Sequence, residues 1–299
     1  MSFETWLERL RPNRASQSPT RRRALLAVAF SAFVALGVVA IVNFPDEPPV
    51  RPRWWLLAIV AIVGPLATVA LNGLEFVQQG RLVDRAIPLR DAIRVSVLGT
   101  AANLAPVPGS AIVRTAALSD DEVGVARAAG TTITVGVAWL GTGALVAGAL
   151  QPFAGRVAIG IACAAVGAVL LVTTRLLVAR ARPAAGTGAV FAAIVAVEAG
   201  TVVVGALRLC GFIVGLGLDV DAAQAVGLTL AGVLASATGV FPAGIGIREA
   251  LIGLASPLLD LPVAVGITAA SADRVAGLAV LAVLSALLVS RDSDRSRAP

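Results

Sequence analysis

Ala105-Pro106-Val107-Pro108-Gly109 interrupts an apolar stretch, 95–113, that is otherwise long enough to cross a bilayer. Its two prolines lack amide donors and cannot continue a helical ladder. Such a break is tolerated at membrane depth only where protein or a water-filled cavity covers it. Phe241-Pro242-Ala243-Gly244-Ile245-Gly246 repeats the feature between an apolar helix expected from about Ala222 and a short one over 247–259. Both breaks read Pro-x5-Arg, ending at Arg114 and Arg248. How the chain passes these two points decides the fold.

Composition sets the medium. Of the 299 residues 58% are hydrophobic and mean hydropathy is +0.89, against roughly 45–50% apolar residues in a soluble domain. The apolar residues fall in blocks near 24–44, 54–74, 128–150, 157–179, 188–218 and 261–290. Each has the length of about twenty residues needed to cross about 30 Å of hydrocarbon. The chain therefore reads as a polytopic membrane protein without a soluble domain.

The net charge of +6 comes from arginines at the ends of apolar blocks, which is a topology signal and not a nucleic-acid patch. Cys163 and Cys210 lie inside apolar blocks, so no disulfide framework is expected. With no histidine, no metal or haem cofactor is expected. The first apolar run is too long for a cleavable signal. The residues before it, with Phe3, Leu7 and Leu10 on one helical face, read either as a surface helix or as a basic tail that sets orientation.

Arg21, Arg22 and Arg23 place the N-terminus on the cytoplasmic side. The neutral loop 45–53 suits the outside, and Arg81, Arg85, Arg90 and Arg94 return the chain inside. If 95–113 spanned, Arg175, Arg180 and Arg182 would lie outside, against the positive-inside rule. If it dips in and returns, they lie inside, with Asp120 inside and Asp219 outside. A second re-entrant segment, entering from the outside, puts Arg291, Arg295 and Arg297 inside as well. The expected fold is all-α and polytopic, with about six spanning helices and two re-entrant broken-helix pairs. It forms an inverted repeat of 24–150 and 157–290, between a basic N-terminal segment 1–23 and a cytoplasmic tail 291–299. Matching broken helices in an inverted repeat point to a midplane substrate site. The competing reading is two unrelated kinks in a glycine-rich chain.

Charges within apolar blocks cost about 2.5–3.5 kcal/mol each and call for a partner or a wet cavity. They are Arg114, Glu198, Arg208, Arg248, Glu249, Asp273 and Arg274. Arg114 and Arg248 follow the breaks, where unpaired amides at a helix start and an arginine fork suit a phosphate or carboxylate. Snorkelling to the interface is the competing role. Glu198 and Arg208 are about 280° apart around a helix, and Asp273 and Arg274 about 100° apart, so each needs a partner on another element. For at least half of them, the expected role is an interhelical ion pair that holds the bundle together. Gly244-x-Gly246 lacks the third glycine and the βαβ setting of a dinucleotide fingerprint. Asp219-Val220-Asp221 reads as a solvated connection. No nucleophile motif or P-loop is present, so no enzyme is expected.

The run Phe241-Pro242-Ala243-Gly244-Ile245-Gly246-Ile247-Arg248-Glu249-Ala250 resembles the flippase-like membrane domain of lysylphosphatidylglycerol synthases, as does Arg274 in the last span. Asn103, Pro106, Pro108, Gly109 and Arg114 resemble that family's earlier signature, and the resemblance covers nearly the whole chain. Ser110 departs from the more glycine-rich turn common there. The family's soluble catalytic domain is also missing after this segment, so aminoacylation by this chain alone is not expected. The resemblance implies a domain that moves or accommodates an aminoacylated or other anionic phospholipid, or a polyprenyl-linked lipid. Arg114 and Arg248 would hold the phosphate, with Glu249 and Asp273 positioning them and the Pro/Gly breaks opening a path. Membrane lipids are the expected partners, with a homodimer or a lipid-modifying enzyme as further ones, and no nucleic acid. The other readings are an ion-coupled solute carrier, with Glu198 or Asp273 as coupling acid, and a non-transporting partner of a lipid-modifying or glycosyl-transferring enzyme.

Overall fold

The computed structural model describes residues 51–103, 109–181, 186–237 and 245–296, with scattered helical positions between 31 and 42. Pro106, Pro108, Pro242 and Gly244 lie outside the described residues, as does most of the first expected span. Among the described residues there is no strand. The helices are α1 (Trp54–Leu82), α2 (Leu89–Ala102), α3 (Gly109–Leu118), α4 (Val125–Leu150), α5 (Val157–Ala181), α6 (Thr187–Gly215), α7 (Ala222–Ala237), α8 (Ile247–Ala255) and α9 (Val263–Ser296). Five segments are long and apolar enough to cross a membrane: α1, α4 with its continuation to Ala154, α5, α6, and α9 as far as Leu288. The chain is an all-α polytopic membrane protein.

The remaining helices form two pairs. At about 1.5 Å per residue, α2 and α3, and likewise α7 and α8, are too short to cross about 30 Å of hydrocarbon. Each pair folds back on itself. In the first, Gly99 faces Ser110 near the tip, while Ala92 and Leu118 share a core cluster at the base. In the second, Gly232 faces Arg248 and Ile252 near the tip, and Gly227 faces Leu259 at the base. Gln224 Nε2 closes that base by donating to the Leu259 carbonyl at 2.8 Å.

Two close approaches require glycine. A Cβ on Gly109 would lie 2.2 Å from the backbone carbonyl of Ala102, so only glycine lets α3 start this near the end of α2. A Cβ on Gly148 would lie 2.5 Å from the Ala164 amide, where α4 and α5 pack backbone to backbone. Small residues at such crossings are how helices associate in lipid, which supplies little hydrophobic drive.

The hairpins enter from opposite ends of α4. The first has its base beside Ala128, near the start of α4, with Phe76, Val83 and Val123 in the same cluster. Arg85 clasps this base by donating to the Leu118 carbonyl and pairing with Asp120. With that guanidinium and the Val123 amide donating to it, the Asp120 carboxyl is held down to about 2. The clasp is therefore intact above the ordinary carboxyl range and is lost as pH falls toward that value. The second hairpin has its base beside Gln151, after the end of α4, where Gln151 Nε2 donates to the Ala223 carbonyl at 2.8 Å. Arg156 clasps it, donating to the Leu259 carbonyl at 2.9 Å and to Asp260 Oδ2 at 2.7 Å.

α1 and α6 have the same length, 29 residues, and run antiparallel. Leu57 packs on Gly215, Val60 on Gly211 and Leu71 on Gly200. Two boundaries differ from the sequence reading. α1 continues past Leu74 to Leu82, and α9 continues past Ser290 to Ser296. In both cases charged or polar residues follow the apolar block, but no proline or glycine turn stops the helix.

Candidate functional site

The ends of α2 and α3 and of α7 and α8 next to the two breaks line one cavity of about 630 Å³ between α1, α4, α6 and α9. Thr100, Asn103, Ser110 and Arg114 reach it from the first hairpin, and Ser236 and Arg248 from the second. The middle of α4 closes one side with Thr132, Gly136 and Trp139. Of the seven charges read inside apolar blocks, Arg114, Glu198, Arg208, Arg248, Asp273 and Arg274 line this space. Glu249 does not line it.

Asp273 on α9 is 1% exposed and is shared by two arginines. Arg208 Nε donates to its Oδ1 at 2.7 Å, and Arg248 Nη2 to its Oδ2 at 2.8 Å. Arg208 also donates from Nη1 to Thr68 Oγ1 at 2.8 Å and from Nη2 to the Asp273 carbonyl at 3.4 Å. Arg208 is thereby locked into the wall. Among the described residues Arg248 makes one polar contact, with Asp273, and its side chain is 23% exposed toward the cavity.

Arg114 pairs instead with Glu75, using both Nη atoms on the two carboxylate oxygens, the second at 3.2 Å. Gln79 Nε2 donates to the same carboxylate at 3.3 Å. Glu75 is not among the charges singled out in the sequence, where the apolar block ends at Leu74; the absence of a proline across 75–82 is the signal that the helix continues past it. Glu198 on α6 is 1% exposed, and the charges acting on it are Glu75 and Arg114. Among the described residues its Oε1 has no hydrogen-bond partner, and neither do Arg114 Nε, Trp139 Nε1 and Thr132 Oγ1, which belong to residues lining the same cavity.

No protein-family model, curated protein or solved structure matches the chain. The site is therefore read from its own geometry.

The geometry gives three residues structural contacts. Glu249 was expected to position Arg114 or Arg248, yet its Oε1 accepts from Arg274 Nε at 2.5 Å and its Oε2 from the Gly246 amide at 2.8 Å. It anchors the start of α8 to α9, because its place in the first turn of α8 aims it away from the cavity. Asn103 Oδ1 accepts from the Ser110 amide at 2.6 Å, which ties the two sides of the first break together. Gly109 likewise serves the close approach of α3 to the end of α2. Chemically, the cavity offers guanidinium donors, one carboxylate shared by two arginines and one buried carboxyl with an oxygen that has no partner among the described residues. It suits an anion with polar groups around it.

Proposed function

We propose that the protein moves the headgroup of an anionic lipid across the membrane through this cavity, with the acyl chains left in the hydrocarbon. The observation that carries this reading is Arg208 and Arg248 sharing the single carboxylate of Asp273. That cluster holds an excess positive charge, and Arg248 still has donors to offer. A phosphodiester matches the guanidinium fork. A volume of about 630 Å³ lies in the usual range of small-molecule sites, about 300–1,000 Å³, and accommodates a headgroup without its chains. The resemblance to the flippase-like domain of lysylphosphatidylglycerol synthases favours an aminoacylated or other anionic phospholipid, or a polyprenyl-linked lipid.

We read the two hairpins as re-entrant from opposite membrane faces, within an inverted repeat whose first span lies at 24–44. The hairpin bases at opposite ends of α4, and the antiparallel pairing of equal-length α1 and α6, support this. We read the chain as an inner-membrane protein with both termini cytoplasmic, and the placement of its arginines supports that orientation. In a background without Cys163 and Cys210, cysteines at Asp121 and Asp219, both exposed, are expected to react with an impermeant thiol reagent from opposite sides of the membrane. Labelling of both from the same side would overturn the inverted arrangement.

Transbilayer movement of headgroup-labelled phosphatidylglycerol in proteoliposomes tests the transport reading. Arg248→Ala removes a charged hydrogen-bonding group worth about 1.5–3 kcal/mol to a bound anion, and is expected to slow movement about 10–100-fold. No movement above empty vesicles would exclude it and favour the scaffold reading, in which the protein binds a lipid-modifying enzyme without transporting. Equal protein-dependent rates for wild type and Arg248→Ala would exclude this cavity as the path of the headgroup. The unpaired Glu198 oxygen favours a second reading, an ion-coupled carrier of small anions. It predicts pH-dependent uptake of a water-soluble anion by the same vesicles.

A further inference from the structure

The charges around the cavity form two unequal clusters. On one side Arg208 and Arg248 share Asp273, two cations on one anion. On the other, Arg114 is paired with Glu75, and Glu198 lines the same part of the cavity close enough to feel both charges, so two carboxyls face one cation. Arg274 and Glu249 make a matched pair behind them. With every group ionised the cavity is neutral as a whole, and its ends are oppositely biased.

A monoanion arriving at Arg208 and Arg248 cancels the positive end and leaves the excess carboxylate uncompensated. An unbalanced charge at this depth is costly. Of the two carboxyls, Glu75 is held by both Nη atoms of Arg114 and by Gln79. Glu198 has an Oε1 without any partner. Glu198 is therefore the group that takes up a proton from water in the cavity, becoming a neutral carboxylic acid. The other elements do not supply an alternative. α4 and α7 present no charged side chain to the cavity, and Asp273 and Arg274 of α9 are committed to their own partners.

We infer that Glu198 is a proton-binding site whose occupancy is coupled to that of the anion site, so that one proton accompanies each phosphodiester monoanion. This rests on the anionic-headgroup reading given above. Coupling is reciprocal: the anion promotes protonation, and protonation promotes anion binding. The movement is then electroneutral and a pH difference across the membrane drives it.

Calorimetric titration of the full-length protein in detergent tests this, with dihexanoyl-phosphatidylglycerol and, separately, inorganic phosphate as titrants. Repeating each titration in buffers of different ionisation enthalpy, over a series of pH values, gives the protons taken up per ligand. Wild type is expected to take up close to one proton per lipid at its maximum, on the order of the single coupled site. Glu198→Gln, an isosteric stand-in for the protonated acid, is expected to bind the lipid with proton uptake near zero. Lipid binding by wild type without proton uptake at any pH overturns the inference and leaves the lipid reading standing. Equal proton uptake by wild type and Glu198→Gln assigns the proton elsewhere and overturns it as well. Proton-coupled binding of phosphate but not of lipid keeps the proton site and overturns the lipid. No binding of either anion overturns both. An unchanged unfolding temperature for Glu198→Gln separates loss of the proton site from loss of the fold.

Discussion

Asp273→Ala is expected to lower the stability of the folded protein by about 3–5 kcal/mol, the cost typical of removing one partner from a buried ion pair. The side chain is 1% exposed and holds Arg208 and Arg248 at once. Without it two guanidinium groups from different helices face each other across a low-dielectric space with no carboxylate between them. Unfolding temperature in detergent is expected to fall by an amount on the order of 10 °C for a chain of this size. Asp273→Asn keeps the shape and one acceptor oxygen, so its loss should be smaller. The double variant Asp273→Ala with Arg248→Ala removes one of the two stranded cations. It should recover part of the stability lost in the single variant, giving a non-additive cycle as expected for residues in direct contact. An unchanged unfolding temperature in Asp273→Ala would mean that the arginines are neutralised by something other than this carboxylate.

How much of this was legible in the sequence follows from what each signal depends on. The membrane setting rests on composition and block length alone, and the apolar blocks at 54–74, 128–150, 157–179, 188–218 and 261–290 correspond to α1, α4, α5, α6 and α9. The two Pro/Gly breaks separate the paired short helices α2 and α3, and α7 and α8, because proline acts locally on the helical ladder. Pairing was less accessible. Asp273 has two arginines, from α6 and α8, and no spacing rule reports a contact between residues 65 positions apart. Glu75 was overlooked for a different reason. Ending an apolar block at the first charged residue assumes that charges mark the interface, and that assumption fails wherever a charge has a buried partner. Thr68 was invisible in the same way, since a threonine in a span is unremarkable until Arg208 is found beside it. The dual use of Glu249 was half visible: a glutamate in the first turn of a helix is a capping position, but its bond to Arg274 needs the tertiary fold.

That dual use makes Glu249→Ala the other large-effect substitution. The residue has no exposed surface. One oxygen accepts from the Gly246 amide at the start of α8, and the other from Arg274 on α9. Loss of the cap costs about 1 kcal/mol, and removal of the carboxylate facing Arg274 about 3–5 kcal/mol. The two losses share a consequence, because Arg248 stands in the same first turn of α8. When that turn frays, Arg248 moves off Asp273, and movement of labelled lipid should fall along with the unfolding temperature. Glu249→Gln separates the two roles: its amide oxygen can still accept from Gly246, so α8 keeps its start, while Arg274 loses its counter-charge. Exchanging the charges, with Glu249→Arg and Arg274→Glu together, restores opposite signs but not the cap, since arginine has no acceptor for the Gly246 amide. The exchange is therefore expected to remain less stable than Glu249→Gln. If it matched wild type, Glu249 would act through charge alone and the start of α8 would be held by other contacts.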